Sequence, residues 1–286
     1  MKKFIERFIM FCVAVPLVVG IVVFLPQYHH LAANIVVIAL SSLGAVEFAG
    51  LIKKTGAKIP LVEAAILGAT APLSMTLVAV LDMNSQIVPS ILILSALWVM
   101  VSRIFSSKEK LKDVLGYTVA GLSVILYPGL FLLWIIPMTR WDNATQIICL
   151  FLLIVIANDS VAWVFGMLFG KNNRDIIPAS PNKSIAGYAG GLSASVLIGF
   201  IAVTLLPDIF SPTRLLLPRP IAGFLLGLFV GIAASLGDLS ESALKRSVST
   251  KDSGNIIPGR GGVLDSIDSI ALAAPVFYAV YWFIFR

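Results

Sequence analysis

Charge interrupts this chain so rarely that its apolar runs decide what it can fold into. Nine stretches are long enough to be read as membrane spans: roughly 8–25, 31–52, 61–81, 87–104, 117–137, 144–169, 184–206, 221–236 and 265–285. About 20 apolar residues in a helix cover the hydrocarbon core of a bilayer. Lipid offers no hydrogen bonds, so each span must satisfy its own backbone and is expected to be helical. The expected fold class is therefore an all-α polytopic integral membrane protein. A mean hydropathy of +0.97 and a charged fraction of 13% exclude an ordinary soluble domain.

Basic residues between the spans predict orientation. With the N-terminus cytoplasmic, the inner segments hold Lys2, Lys3, Arg7, Lys53, Lys54, Lys58, Arg103, Lys108, Lys110, Lys112, Lys171, Arg174, Lys183, Lys245, Arg246, Lys251 and Arg260. Of the 21 Lys and Arg, only Arg140, Arg214, Arg219 and Arg286 fall outside. The net charge of +6 thus reads as a topology signal, and no nucleic-acid partner is expected. The start of the chain resembles a signal peptide, but no small-x-small cleavage site precedes Pro26, so the first span is expected to be retained. Cys12 and Cys149 lie inside apolar runs and form neither a disulfide framework nor a metal-spaced cluster. The chain divides, on this reading, into N-terminal spans within 1–115 and a catalytic membrane region over 116–286. The latter carries two cytoplasmic loops, 170–183 and 237–264.

Polar residues stand out against this background. Glu47 lies inside an apolar run, where an unpaired charge costs roughly 2.5–3.5 kcal/mol, so it needs a partner or a polar cavity. His29 and His30 sit in a short outer turn with no matching ligand nearby. Ser106–Gly116 is expected to form a short surface helix whose lysines meet lipid headgroups. Asn158-Asp159-Ser160 interrupts the sixth span and marks either a buried site or a helix–helix hydrogen-bond patch. Ser180-Pro-Asn-Lys183-Ser184 places a lysine at a helix start, where phosphate can bind. Gly223, Gly227 and Gly231 recur every four residues and predict close helix packing.

The richest stretch is 235–268. It gathers Asp238, Glu241, Asp252, Asp265 and Asp268 with Lys245, Arg246, Lys251 and Arg260, around a Pro-Gly-Arg-Gly-Gly turn. Carboxylates hold a hard cation, while ammonium, guanidinium and backbone N–H groups hold phosphate oxygens. The set therefore suits a metal-bound polyphosphate. Asp238 with Glu241, and Asp265 with Asp268, are each three apart and share a helix face. The same spacing also describes two capping boxes with no chemistry at all.

The segment from Ser242 through Lys245-Arg246, Lys251-Asp252, Pro258-Gly-Arg260-Gly261-Gly262 and Asp265-Ser-Ile-Asp268 resembles the signature of the phosphatidate cytidylyltransferase, or CDP-diacylglycerol synthase, family. Asp159 and Ser180-Pro-Asn-Lys183 resemble its two upstream motifs. The resemblance covers about 155–275 closely. It implies conversion of CTP and phosphatidic acid to CDP-diacylglycerol and pyrophosphate by a nucleotidyltransferase of phospholipid biosynthesis. It implies Mg²⁺, with or without a second metal ion, on Asp159, Asp238, Asp265 and Asp268. Asp238, Lys245, Arg246, Lys251 and Asp265 are then the catalytic set. Ser180, Lys183, Ser242, Arg260, Gly261 and Gly262 are the substrate-binding set. The implied setting is the cytoplasmic face of the inner membrane, with the bilayer and a second copy of the chain as further partners. Three residues depart from the pattern: Arg260 stands for His, Ser266 for Arg, and Ala186 for an acidic residue. The competing classes are another lipid-modifying enzyme, such as a CTP-dependent lipid kinase, and a secondary transporter. A CDP-alcohol phosphotransferase would need an Asp-Gly-x-x-Ala-Arg motif, which the sequence lacks.

Overall fold

The computed structural model describes residues 2–210 and 217–285. Arg214 and Arg286, expected on the outer side, lie outside the described residues. Every regular element is helical; the described residues hold no strand, only isolated bridges at Arg174–Ser184 and Ile257–Gly261. Seven segments are long and apolar enough to cross a membrane: Gln27–Lys53, Leu61–Leu81, Val114–Arg140, Ala144–Phe169, Ile185–Leu205, Arg219–Ser247 and Leu264–Phe285. The expected spans at 8–25 and 87–104 correspond to shorter apolar helices, Cys12–Phe24 and Ile87–Val101. The protein is thus an all-helical, multi-span membrane protein.

The chain forms two compact units that are discontinuous in sequence: Met1–Arg140 with Ser247–Ile267, and Trp141–Arg246 with Asp268–Arg286. The sequence-based boundary at 115/116 separates groups of spans, whereas these units exchange chain segments near the C-terminus.

In the first unit, Gln27–Lys53 packs on Leu61–Leu81 through small residues. Lipid is as apolar as leucine, so close backbone approach and interhelical hydrogen bonds must hold spans together. A Cβ on Gly68 would come within 3.0 Å of the Ser41 carbonyl, and the Ser41 hydroxyl is shared between Gly68 O (2.6 Å) and Pro128 O (2.8 Å). Pro128 has no N–H to donate, and the helix from Val114 widens there into a π-turn over Ile125–Leu130. Glu63 ties the start of Leu61–Leu81 to its neighbours. It accepts from Trp98 Nε1 (2.8 Å) and Tyr117 OH (2.5 Å), and Arg103 lies 3.7 Å away. A single turn of helix, Lys108–Leu111, occupies the expected surface-helix loop. The His29–His30 turn is present as a non-helical break in the backbone. Both residues fall within Gln27–Lys53, at a kink where Tyr28, His29 and His30 have φ between 52° and 55°.

In the second unit the glycine stripe does what its spacing predicts. A Cβ on Gly223 would meet the Phe200 backbone at 3.0 Å, and one on Gly227 would come within 2.7 Å of Val196. Asn158 bonds Ser195 Oγ (3.0 Å) and Gly231 O (3.2 Å) and accepts from Ser235 Oγ (3.2 Å). It thereby joins Ala144–Phe169, Ile185–Leu205 and Arg219–Ser247. Trp141 stacks on Tyr278 and Tyr281 along the last helix.

Candidate functional site

The second unit draws charged side chains from four segments of apolar sequence. Asp159 comes from the middle of Ala144–Phe169, and Lys183 from the turn before Ile185–Leu205. Asp238, Glu241 and Lys245 come from Arg219–Ser247, and Asp268 from the last helix. That turn is built locally. Lys183 N donates to Ser180 O (3.1 Å), and Ser184, extended at φ −123°, caps the helix by accepting from Gly187 N (3.1 Å). A Cβ at Gly187 would come within 2.8 Å of Ala162 O, so glycine there lets the helix start lie against Ala144–Phe169.

Lys183 forms an ion pair with Asp238, and Lys245 one with the fully buried Glu241. The Lys183 side chain keeps 30% of its exposure. Burial lowers its ammonium pKa below the ordinary 10.5; Asp268 and Asp159 oppose this, Lys245 adds to it, and Glu241 opposes it. Desolvation is the largest cause, because burial penalises the charged ammonium more than the nearby carboxylates stabilise it. Ser269, buried and unremarked in the sequence, links two of the carboxylates. Its N donates to Asp268 Oδ1 (2.6 Å) and its hydroxyl to Asp159 Oδ1 (3.3 Å). A serine beside an aspartate in an apolar helix was the available signal.

The helix Arg219–Ser247 runs unbroken through Gly237 and Asp238. The Asp238/Glu241 pair is therefore mid-helix, not a capping box, and the expected loop 237–264 begins only after Ser247. Ser242 is half-buried and Arg246 exposed on the last turns of this helix, and Ser180 is half-buried in its turn.

The first unit holds the rest of the signature. Lys251, Asp252 and Arg260 are exposed. Asp265 Oδ2 accepts from Ser253 N (2.9 Å), Ser253 Oγ (2.9 Å) and Gly262 N (2.7 Å). Gly261 N donates to Ile257 O (3.0 Å), and Gly261 has φ +114°, a conformation that suits glycine. The N–H groups of Gly261 and Gly262, expected to cradle phosphate, are thus engaged within the loop. Ser266 Oγ donates back to Gly262 O (3.3 Å).

Among the described residues, no three His, Cys, Asp or Glu side chains converge closely enough to share a metal ion. The donor chemistry of the second unit nonetheless fits a hard divalent cation, which takes carboxylate oxygens. One of those carboxylates, Asp238, now neutralises a lysine.

A cytidylyltransferase family profile matches residues 5–284. The chain is 39% identical over 160 residues to a phosphatidate cytidylyltransferase of Haemophilus influenzae, covering 55% of this chain and 48% of that protein. It is 33% identical over 147 residues to the uncharacterized protein YnbB of Escherichia coli, covering 51% and 46%. It is 37% identical over 164 residues to a phosphatidate cytidylyltransferase of Helicobacter pylori, covering 56% and 55%. The chain spans about half the length of the curated relatives it matches.

Proposed function

The chain belongs to the cytidylyltransferase family, and on that premise we propose that it makes CDP-diacylglycerol and pyrophosphate from CTP and phosphatidic acid. The observation that carries the reading is the second unit's cluster, in which Lys183 lies among Asp159, Asp238, Asp268 and Glu241. A membrane protein tolerates so many ionisable groups together only for use.

In the proposed reaction a phosphate oxygen of the lipid attacks the α-phosphorus of CTP. The new P–O bond forms as the bond to the β-phosphate bridging oxygen breaks, and pyrophosphate leaves with that electron pair. Such a transfer needs positioning and charge neutralisation more than covalent help. Of Asp159, Asp238 and Asp268, one or two would hold Mg²⁺ together with substrate phosphates, and the ion would supply positive charge against the triphosphate. Lys183 and Lys245 orient phosphate oxygens, and Glu241 fixes Lys245 across one helical turn. Lys251 and Arg260, exposed in the first unit, are assigned to anionic substrate. We reassign Asp265 from metal ligand to holder of the loop, because its Oδ2 is engaged by three donors.

The test is purified protein in lipid with phosphatidic acid, Mg²⁺ and CTP labelled at the α- or γ-phosphate. Label from the α-position is expected in a CDP-lipid. Lipid labelled only from the γ-position would identify a CTP-dependent lipid kinase and overturn the reading. The cytoplasmic placement of the N-terminus and of 248–263 belongs to the same proposal. A lone cysteine at Ser249 should react with an impermeant reagent only from the cytoplasmic side, and labelling from outside in intact cells would reverse it.

A further inference from the structure

Glu47 is the one charged residue within residues 31–52, and it is 6% exposed. Its carboxylate is spent on a segment more than 200 residues away. Oε1 accepts from Val263 N (3.0 Å), and Oε2 accepts from Leu264 N (2.8 Å) and Ser253 Oγ (3.0 Å). Val263 and Leu264 stand at the start of the last helix, whose first N–H groups have no partner within the helix. A carboxylate there satisfies them and meets the positive end of the helix dipole. Glu47 thus caps a helix from a different one.

Three further observations concern the same contact. A Cβ on Gly254 or on Gly262 would come within 2.7 Å of Glu47 Cδ, so glycine at both positions lets the loop close on the carboxylate. Gly44, one helical turn before Glu47, lies against Leu264 and Ile267; a Cβ there would stand 3.2 Å from Ile267 Cδ1. Ser253 Oγ also lies 2.9 Å from Asp265 Oδ2, so one hydroxyl bridges Glu47 and Asp265. All of these residues belong to the first unit.

We infer that Glu47 is a positioning residue for the cytidylyl transfer: its buried carboxylate grips Ser253, Val263 and Leu264 and so fixes the loop that carries Arg260. Glutamate is required rather than glutamine. An amide offers one acceptor oxygen and turns an NH₂ group toward N–H donors, leaving a buried donor without a partner. This inference rests on the transferase reading for its effect on turnover, and on the geometry alone for its effect on the loop.

The experiment compares Glu47→Gln, Glu47→Asp and Gly254→Ala with the wild type in lipid nanodiscs. Two quantities are measured: kcat and KM for CTP, and amide hydrogen exchange over 253–264. For Glu47→Gln the expected results are a fall in kcat of at least tenfold and faster exchange at Val263 and Leu264. Exchange across Ala144–Phe169 should stay as in the wild type. Gly254→Ala, which pushes on the same carboxylate from the loop side, should reproduce both effects. Glu47→Asp should regain part of kcat. Wild-type kcat together with unchanged exchange in Glu47→Gln would overturn the inference. So would a fall in kcat accompanied by faster exchange throughout the protein in all three variants, which would mark Glu47 as a general stability residue. If wild-type protein transfers no cytidylyl group, the reaction reading fails by itself. The grip on the loop would then stand or fall on the exchange at 263–264.

Discussion

The two units put the same functional group to opposite uses. In the first, the carboxylates of Glu47 and Asp265 are each engaged by two backbone N–H groups and share the single proton of the Ser253 hydroxyl. In the second, Asp238 and Glu241 are paired with lysine ammonium groups. A backbone donor cannot leave without local unfolding, so a carboxylate that meets two of them is committed to the loop, whereas Asp268 meets one, Ser269 N, and keeps oxygen lone pairs for a cation. A lysine is a point charge on a flexible stem and can swing aside, so the partly exposed Asp238 remains available to another cation, while the fully buried Glu241 stays with Lys245. The type of donor therefore separates carboxylates that build the protein from carboxylates that can work.

The largest effect expected from this contrast is on Asp238. Asp238→Asn should lower CDP-lipid formation by about 10²–10³-fold, as for loss of a group that stabilises transition-state charge. Its thermal unfolding should stay near that of the wild type. Turnover above a tenth of wild type would break the contrast from the functional side.

Asp265→Asn tests the structural side. Its amide oxygen is neutral and accepts more weakly than the carboxylate Oδ2 on which the three donors converge, and a hydrogen bond to a charged group is worth about 1.5–3 kcal/mol. The variant should unfold at a lower temperature and lose protection at Ser253 and Gly262. An unaltered unfolding temperature with abolished activity would return Asp265 to the metal ligands.

A smaller effect is expected on the pH profile. Burial lowers the Lys183 pKa below 10.5, so the folded protein loses this charge at a lower pH than a free lysine would. Activity should fall as pH rises through that lowered value. Over the same window the unfolded chain binds more protons than the folded one, so this group's contribution to stability rises with pH. An activity loss coinciding with unfolding would contradict the assignment. In Lys183→Arg the side chain stays charged above pH 12, and this alkaline limb should disappear, although kcat falls with the altered geometry.

The smallest expected effect concerns Arg260 and Ser266, where the chain departs from the family pattern. If Arg260 supplies the cation that Ser266 lacks, Arg260→His should lose activity and added Ser266→Arg should restore part of it. A double-mutant cycle should give a coupling of about 0.5–3 kcal/mol. Strict additivity would leave Arg260 acting alone on substrate.

Much of the second unit was legible because its signals are local. Asn158-Asp159 stands out in an apolar helix, Lys183 follows a Ser-Pro turn, and the stripe Gly223, Gly227 and Gly231 reads directly as a packing face. Local spacing failed where two structures share one pattern. Asp238/Glu241 and Asp265/Asp268 have the same separation, yet the first pair lies mid-helix and the second at the beginning of a helix. Gly261 and Gly262 read as close-approach positions because glycine permits any backbone approach, and only the structure shows that their N–H groups meet Ile257 O and Asp265 Oδ2.

By itself, the sequence determined that this chain is a set of membrane helices and where its ionisable residues gather. Both follow from composition: apolar length in lipid leaves the backbone no option but helix, and charge in such runs is too costly to be incidental. Only the tertiary structure decided which carboxylates are structural. That depends on the donors each one meets, and Glu47 meets its donors across more than 200 residues of chain. No periodicity or motif in the intervening sequence encodes that meeting, because packing alone brings the two segments together.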